Sequence, residues 1–261
     1  MVQAPRLPMA GETIHGHKFF IGFRGIGANQ CIPAARIEAK NAMVCKRRHK
    51  HRNTHMFSYA RPSELSVLSS SFYWATSSCV TSAGEIAIVI VAGTNLLVGG
   101  KDLWWALSAR MHAKVLVCQL EVSPHTSLQA LLLAQENNVK TIFNPAPAIP
   151  DLHSDFYRVS DVFCCNESEA ELLTGTDVAS VVDVGWAGQE PPSSLSIRVS
   201  TKPVTMVAAT GDGDRLICAM AFYRAHFPTM PLEGQQMGRK RLIPQKDLPT
   251  DIFYRRQQLA H

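Results

Sequence analysis

Residues 208–216, AATGDGDRL, set two glycines and two aspartates against an apolar run, 217–224, that reads as a helix. A helix start presents unpaired backbone N–H groups and a partial positive charge, so it suits an anion such as a phosphate. Asp212 and Asp214 are anions themselves. Either they only cap the helix, or one of them takes a proton from whatever the glycines hold. Three more polar residues close apolar runs: Glu121 after KVLVCQL, Asn144 after VKTIF and Asn166 after DVFCC. In an open parallel sheet that strand edge is where ligands bind. The plain alternative is that strand ends are polar because they meet water. In NESE, Asn166 and Glu169 lie three apart on one side of a first helical turn, a spacing that also suits a capping box.

These residues need elements to position them, and the chain from 114 onward has the pattern for it. Residues 114–121 are a short apolar run ending in a carboxylate. Residues 124–138 read as a helix, with Thr126 or Ser127 as its N-cap and Asn137 and Asn138 at its end. Residues 139–147 are a second buried run, stopped by prolines, and 160–175 a third that leads into a helix closing on Gly175. Strands alternating with helices imply parallel pairing with right-handed crossovers. Runs that are apolar throughout imply a sheet covered on both faces. The fold class is therefore α/β, with an open, mostly parallel sheet. Residues 11–23 and 86–98 read as further strands. Residues 46–82, basic and then Ser-rich, and residues 176–206 show no period and read as irregular, and the tail from 228 to 261 has no clear element.

Composition bounds the function classes. With 261 residues, 46% hydrophobic and 18% charged, the chain suits a globular core and not general disorder. The net charge of +5 is local: CKRRHKHR at 45–52 carries Lys46, Arg47, Arg48, Lys50 and Arg52 with two histidines. Without interleaved aromatics this run is not a stacking platform, so nucleic acid is not an expected partner and a solvated loop is. The seven cysteines are scattered, with no CxxC pair to suggest zinc, which implies a reducing compartment and free, mostly buried thiols. No uncharged apolar stretch approaches the roughly 18 residues of a membrane span, and the first residues lack a hydrophobic signal core. The expected location is the cytoplasm, with the nucleus second on account of the basic run.

Four stretches carry a family resemblance: GETIHGHKFFIGFRGIGANQ (11–30), AKVLVCQLEVSPHTSLQALLLA (113–134), KTIFNPAPAI with DVFCCNESEAELLTG (140–149 and 161–175), and TGDGDRLICAMAFY (210–223). Taken in this order they resemble the ribokinase-like carbohydrate kinases. The resemblance implies a single domain over 1–261 with a three-layer α/β/α sheet. It also implies a small β lid over a sugar site, the lid strands falling within 11–23 and 86–98. The implied reaction is phosphoryl transfer from ATP to the primary hydroxyl of a sugar, with ribose expected. Such a reaction needs positioning, charge neutralisation and a base. By place in the family's Gly-Ala-Gly-Asp motif, Asp214 is implied as the base and Gly211, Asp212 and Gly213 as the anion hole. Asn166 and Glu169 match an Asn-x-x-Glu pair that holds Mg²⁺ beside the nucleotide, Glu169 through water. Gly25, Gly27 and Asn29 match the sugar-holding turn, and Glu121 matches a sugar-side carboxylate. ATP and Mg²⁺ are the implied cofactors, with K⁺ as in the family. A homodimer through the lid is the implied assembly, with no membrane association.

Several positions depart from the family pattern. No counterpart of the sugar-gripping opening strand stands ahead of RLPMAGET. Arg24 and Ile26 replace a Gly and a Lys, and Ala208 replaces an acidic residue that helps hold K⁺. The nucleotide strand with its Gly-rich loop is not legible in 176–206, and QQMGRKRLIPQ stands where a segment should cover adenine. Asp212 places a carboxylate where a small neutral residue belongs. At about 5 Å from a phosphate oxygen, such a charge costs about 3 kcal/mol at an effective dielectric of about 20, or about a hundredfold in rate. These departures set the alternative expectation: a catalytically impaired relative that keeps the sheet and binds a sugar or a partner.

Overall fold

The computed structural model describes residues 2–19, 25–46, 54–59, 75–81, 86–91, 93–108, 113–175 and 212–229. Its centre is a parallel sheet of β7 (Val115–Cys118), β8 (Lys140–Phe143) and β9 (Val162–Phe163), paired in that order. Val115 lies opposite Lys140, and Ile142 opposite Val162. These strands are apolar on both faces because both faces are covered. Leu116, Cys118, Phe143 and Phe163 pack with Leu131 and Phe156 on one side. Val115, Val117, Ile142 and Val162 pack with Ile217 and Met220 on the other. The first layer is α3 (Pro124–Glu136) with the short α4 (Asp155–Arg158), and the opposite layer is α6 (Asp212–His226). The helix–sheet–helix order expected from the apolar runs is present among the described residues.

Local chemistry sets the helix ends. Helix α3 starts at Ser123, whose hydroxyl accepts from the Thr126 N–H at 3.1 Å, and Pro124 follows where no N–H is needed. The cap is therefore not Thr126 or Ser127, as the sequence suggested. Both of those are buried within the helix: Thr126 donates to the Val98 carbonyl at 2.9 Å and Ser127 to the Gln119 carbonyl at 2.8 Å. These two bonds pin α3 to the segment ahead of residue 100 and to the chain just past β7. Asn137 caps the far end and Asn138 turns the chain away with φ of 56°. Helix α5 (Glu167–Thr174) closes, as expected, on Gly175 in the left-handed conformation at φ 68°.

A second sheet runs β2 (Lys18–Phe19), β1 (Val2–Ala4), β5 (Ala75–Thr81), β6 (Ile86–Val91). Strand β1 is antiparallel to β2 and parallel to β5, which is antiparallel to β6. The two segments expected to supply lid strands thus meet in one sheet. Among the described residues of the first, Lys18 and Phe19 are strand, and the second turns into a 3₁₀ stretch at Gly93–Leu97, ahead of α2 (Gly100–Ser108). Strands β3 (Asn41–Lys46) and β4 (Thr54–Tyr59) pair antiparallel. Strands β4 and β5 correct the reading of 46–82 as wholly irregular. Strand β4 pairs with the neighbouring β3, and β5 with the neighbouring β6 and the distant β1; backbone pairing of this kind leaves no apolar period when the residues are Ser, Thr and His. Residues 176–206 and the tail from 230 lie outside the described residues.

Candidate active site

Helix α1 (Ile26–Arg36) is the element around which the site is built, and its start is specified by glycine. Gly25 caps it with φ of 130°, a conformation that side chains rarely adopt, and offers no side-chain cap. The missing acceptor comes from elsewhere. The Glu121 carboxylate, in the turn after β7, accepts from the backbone N–H groups of Ile26 and Gly27. Burial raises the Glu121 pKa above its ordinary value, those two N–H groups draw it back, and the neighbouring charge of Asp214 raises it again. A Cβ on Gly27 would lie 3.6 Å from Gln119 Oε1 and 3.7 Å from Met43 Sδ, ordinary contact distances.

Asp214 lies in the first turn of α6, half-buried against α1. Gln30 Nε2 donates to its Oδ1 at 3.0 Å, and the Asn29 side chain also donates to the carboxylate. Burial raises its pKa, while these donors and the Arg215 charge act to lower it. A carboxyl group held above its ordinary range is better matched to proton transfer near neutral pH. Beside it Gly213 is exposed, with open space where a Cβ would stand. An incoming group can therefore approach the helix mouth. Asp212 is the first residue of α6; Gly211, Ala208 and Arg24 lie outside the described residues.

Asn166 and Glu169 form the capping box of α5. Glu169 N donates to Asn166 Oδ1 at 2.8 Å, and Asn166 N donates to Glu169 Oε2 at 3.0 Å. The structural use of this spacing is thus realised. It does not exhaust Glu169, whose pKa is raised by burial and by Asp214, against the Asn166 bond. Glu121, Glu169 and Asp214 therefore come together at the C-terminal edge of the parallel sheet, Glu121 and Glu169 each within the field of Asp214.

Between them lie three amides, of which Gln30 and Gln119 carry no motif in the sequence. Gln30 Nε2 also donates to Asn144 Oδ1 at 3.3 Å, Asn144 Nδ2 donates to the Cys164 carbonyl at 3.0 Å, and Gln119 Nε2 donates to Gln30 Oε1. Asn144 was visible as a polar strand end. Gln30 follows Asn29 directly, and Gln119 sits two before Glu121, but neither neighbour in sequence reveals that Gln30 is buried.

Parallel strands covered by helices on both faces, with carboxylates at the strand ends beside the start of α6, define an α/β protein whose candidate site lies at the C-terminal edge of its sheet. No family model matches the chain. It is 40% identical to the ribokinase of Mus musculus over 294 aligned residues, covering 95% of this chain and 90% of that protein. It is 30% identical to the deoxyribokinase of Salmonella typhi over 250 residues, covering 84% and 79%. Among solved structures, the ribokinase of Thermotoga maritima superposes with a TM-score of 0.66 at 18% identity, over 92% of this chain and 86% of that one. The chain belongs to the ribokinase family, and its fold is the ribokinase-like α/β fold.

Proposed function

We propose that this chain is an ATP-dependent carbohydrate kinase that converts D-ribose and ATP to D-ribose 5-phosphate and ADP. The primary hydroxyl oxygen attacks the γ-phosphorus in line, the bond from that phosphorus to the ADP oxygen breaks, and the hydroxyl proton passes to Asp214. The observation that carries this reading is the position of Asp214: half-buried, held by Asn29 and Gln30, beside the exposed Gly213 at the mouth of α6. Gly211 and Gly213 would let the helix start approach the moving phosphoryl group. Gly25, Gly27, Asn29 and Glu121 would receive the sugar.

Mg²⁺ fits this donor set. Glu169 lies in the field of a second carboxylate that a divalent cation would relieve, and Asn166 stands beside it. When bound, the ion neutralises charge on the β- and γ-phosphates. With Ala208 where the family keeps an acidic residue, K⁺ would stimulate weakly. Pairing of two copies through the β2-β1-β5-β6 sheet and a cytoplasmic location belong to the same proposal. The alternative, an impaired relative, is not favoured: 40% identity over nearly the whole chain supports the kinase.

Purified protein with ribose, MgATP and K⁺, followed for ADP release, tests the reading, with deoxyribose as a competing acceptor. Ribose-dependent turnover is expected to fall about 10²- to 10⁴-fold in Asp214→Asn, the usual contribution of a positioned base. Equal rates in the two proteins would remove Asp214 from the mechanism.

A further inference from the structure

The buried amide of Gln30 has no role in the reading above, and its hydrogen bonds are fully committed. Its two N–H groups go to Asp214 Oδ1 at 3.0 Å and Asn144 Oδ1 at 3.3 Å, and its oxygen accepts from Gln119. The orientation of each amide follows from the next. The Cys164 carbonyl at the end of β9 can only accept, so the Asn144 atom that meets it at 3.0 Å is the nitrogen. Asn144 then turns its oxygen to Gln30, and only a Gln30 nitrogen can satisfy both that oxygen and the Asp214 carboxylate. A flipped Gln30 would set oxygen against two acceptors. Gln30 and Asn144 are only 5% and 7% exposed, so water is a poor substitute for either bond.

We propose that Gln30 is a positioning residue for the base: its amide, oriented from the β9 carbonyl through Asn144, holds the Asp214 carboxylate in one orientation toward the sugar hydroxyl. The inference rests on the reading of Asp214 as the base. Rotation of an Asp carboxylate about its last torsion is soft, so a fixed donor is what gives the attacked proton a fixed target. Asn29 also donates to Asp214, but the proposed reading assigns it to sugar hydroxyls. Gln30, packed beneath, keeps its bond when the sugar arrives.

Gln30→Met keeps the length and stem of the side chain and removes the amide. Its kcat is expected to fall about 10- to 100-fold, the usual weight of a hydrogen bond to a charged group, while the ribose KM stays close to wild type; the thermal midpoint falls as well, because Asn144 Oδ1 and Gln119 Nε2 lose a buried partner. Gln119→Met, one bond further from the carboxylate, should lose less. A wild-type kcat in Gln30→Met overturns the inference, as does an equal or greater loss in Gln119→Met, which would mark a packing effect. Asp214→Asn run beside them separates the two ideas: if it keeps wild-type turnover the base reading fails and takes this inference with it. If it is inactive while Gln30→Met is unimpaired, only the positioning role fails. The contact is also read without turnover in ¹⁵N-labelled protein. The Gln30 side-chain amide signal, assigned by its loss in Gln30→Met, should move in both Asp214→Asn and Asn144→Leu. A signal that stays in place overturns the relay.

Discussion

Glu121 and Asp214 are both held by the start of α1, Glu121 by the backbone N–H groups of Ile26 and Gly27 and Asp214 by the side chains of Asn29 and Gln30. One short stretch of helix therefore fixes two carboxylates from two other parts of the chain, close enough for Asp214 to raise the pKa of Glu121. Glu169 feels the same charge from the start of α5. Like charges held near one another at partly buried positions cost stability.

The folded-state pKa values of Asp214, Glu121 and Glu169 are all raised, chiefly by burial. A carboxyl group of this kind binds its proton more tightly folded than unfolded. Its contribution is fully present below the unfolded pKa of about 4 and is lost as pH rises through the folded value. Asp214→Asn removes one of the three charges. Its melting temperature should exceed wild type at pH 7, with the gap closing toward pH 4. A gap that widens on acidification would contradict the sign.

Glu121→Ala deletes the acceptor for two N–H groups at the start of α1, where Gly25 supplies no side-chain cap. Loss of a helix cap typically costs about 1 kcal/mol. Relief of the repulsion from Asp214 reduces that cost at neutral pH, so urea unfolding should show a larger loss at pH 5 than at pH 8. An unchanged midpoint at both would mean that the carboxylate does not cap α1.

At α5 the structural and the metal roles can be separated. Asn166→Ala breaks the capping box at the Glu169 N–H and should lower stability by about 1 kcal/mol. Glu169→Gln keeps an acceptor for the Asn166 N–H and should cost only a few tenths. Under the proposed function, that second variant should nevertheless need several-fold more Mg²⁺ for half-maximal turnover. Titration of the ion at saturating ATP reads the difference, and an unshifted Mg²⁺ curve would leave Glu169 with its capping role alone.

Asp161 behaves oppositely to the site carboxylates. Burial pushes its pKa up, but the Thr141 N–H at 2.8 Å, Lys140 at 3.0 Å and the Thr141 hydroxyl at 3.1 Å together hold it below the ordinary range. Its contribution is present above the unfolded pKa and is lost as pH falls through the folded one. Asp161→Asn, between the ends of β8 and β9, should therefore lose about 1 kcal/mol at pH 7. Denaturant unfolding at pH 3 should show a smaller difference; a constant one would point to packing instead of charge.

Much of this architecture is legible in the residues themselves. VLVC, KTIF and VF are apolar on both faces, which requires cover on both sides, and α3 and α6 provide it. The GDGD stretch and NESE announce helix starts because Gly, Asp and Asn are the residues such starts use. Strands β4 and β5 and the helical course of α1 are not legible in the same way. The first two are made of polar residues without an apolar alternation and are fixed by backbone pairing, and α1 carries Pro33 within it, a residue that ordinarily argues against a helix.

The chain by itself determined the cover on both faces of the parallel sheet, the order of the elements from 114 to 175 and which carboxylates stand at the ends of strands and the starts of helices, because hydrophobic period and capping chemistry are local properties. Only the tertiary structure decided that Glu121 spends its charge on the start of α1, that Asp214 and Glu169 share one field, and that Gln30 is buried between Asp214 and Asn144. Burial, and the field one charge exerts on another, depend on distances between residues as far apart as 30 and 214. Those distances exist only once α1 has packed against α6 over the sheet.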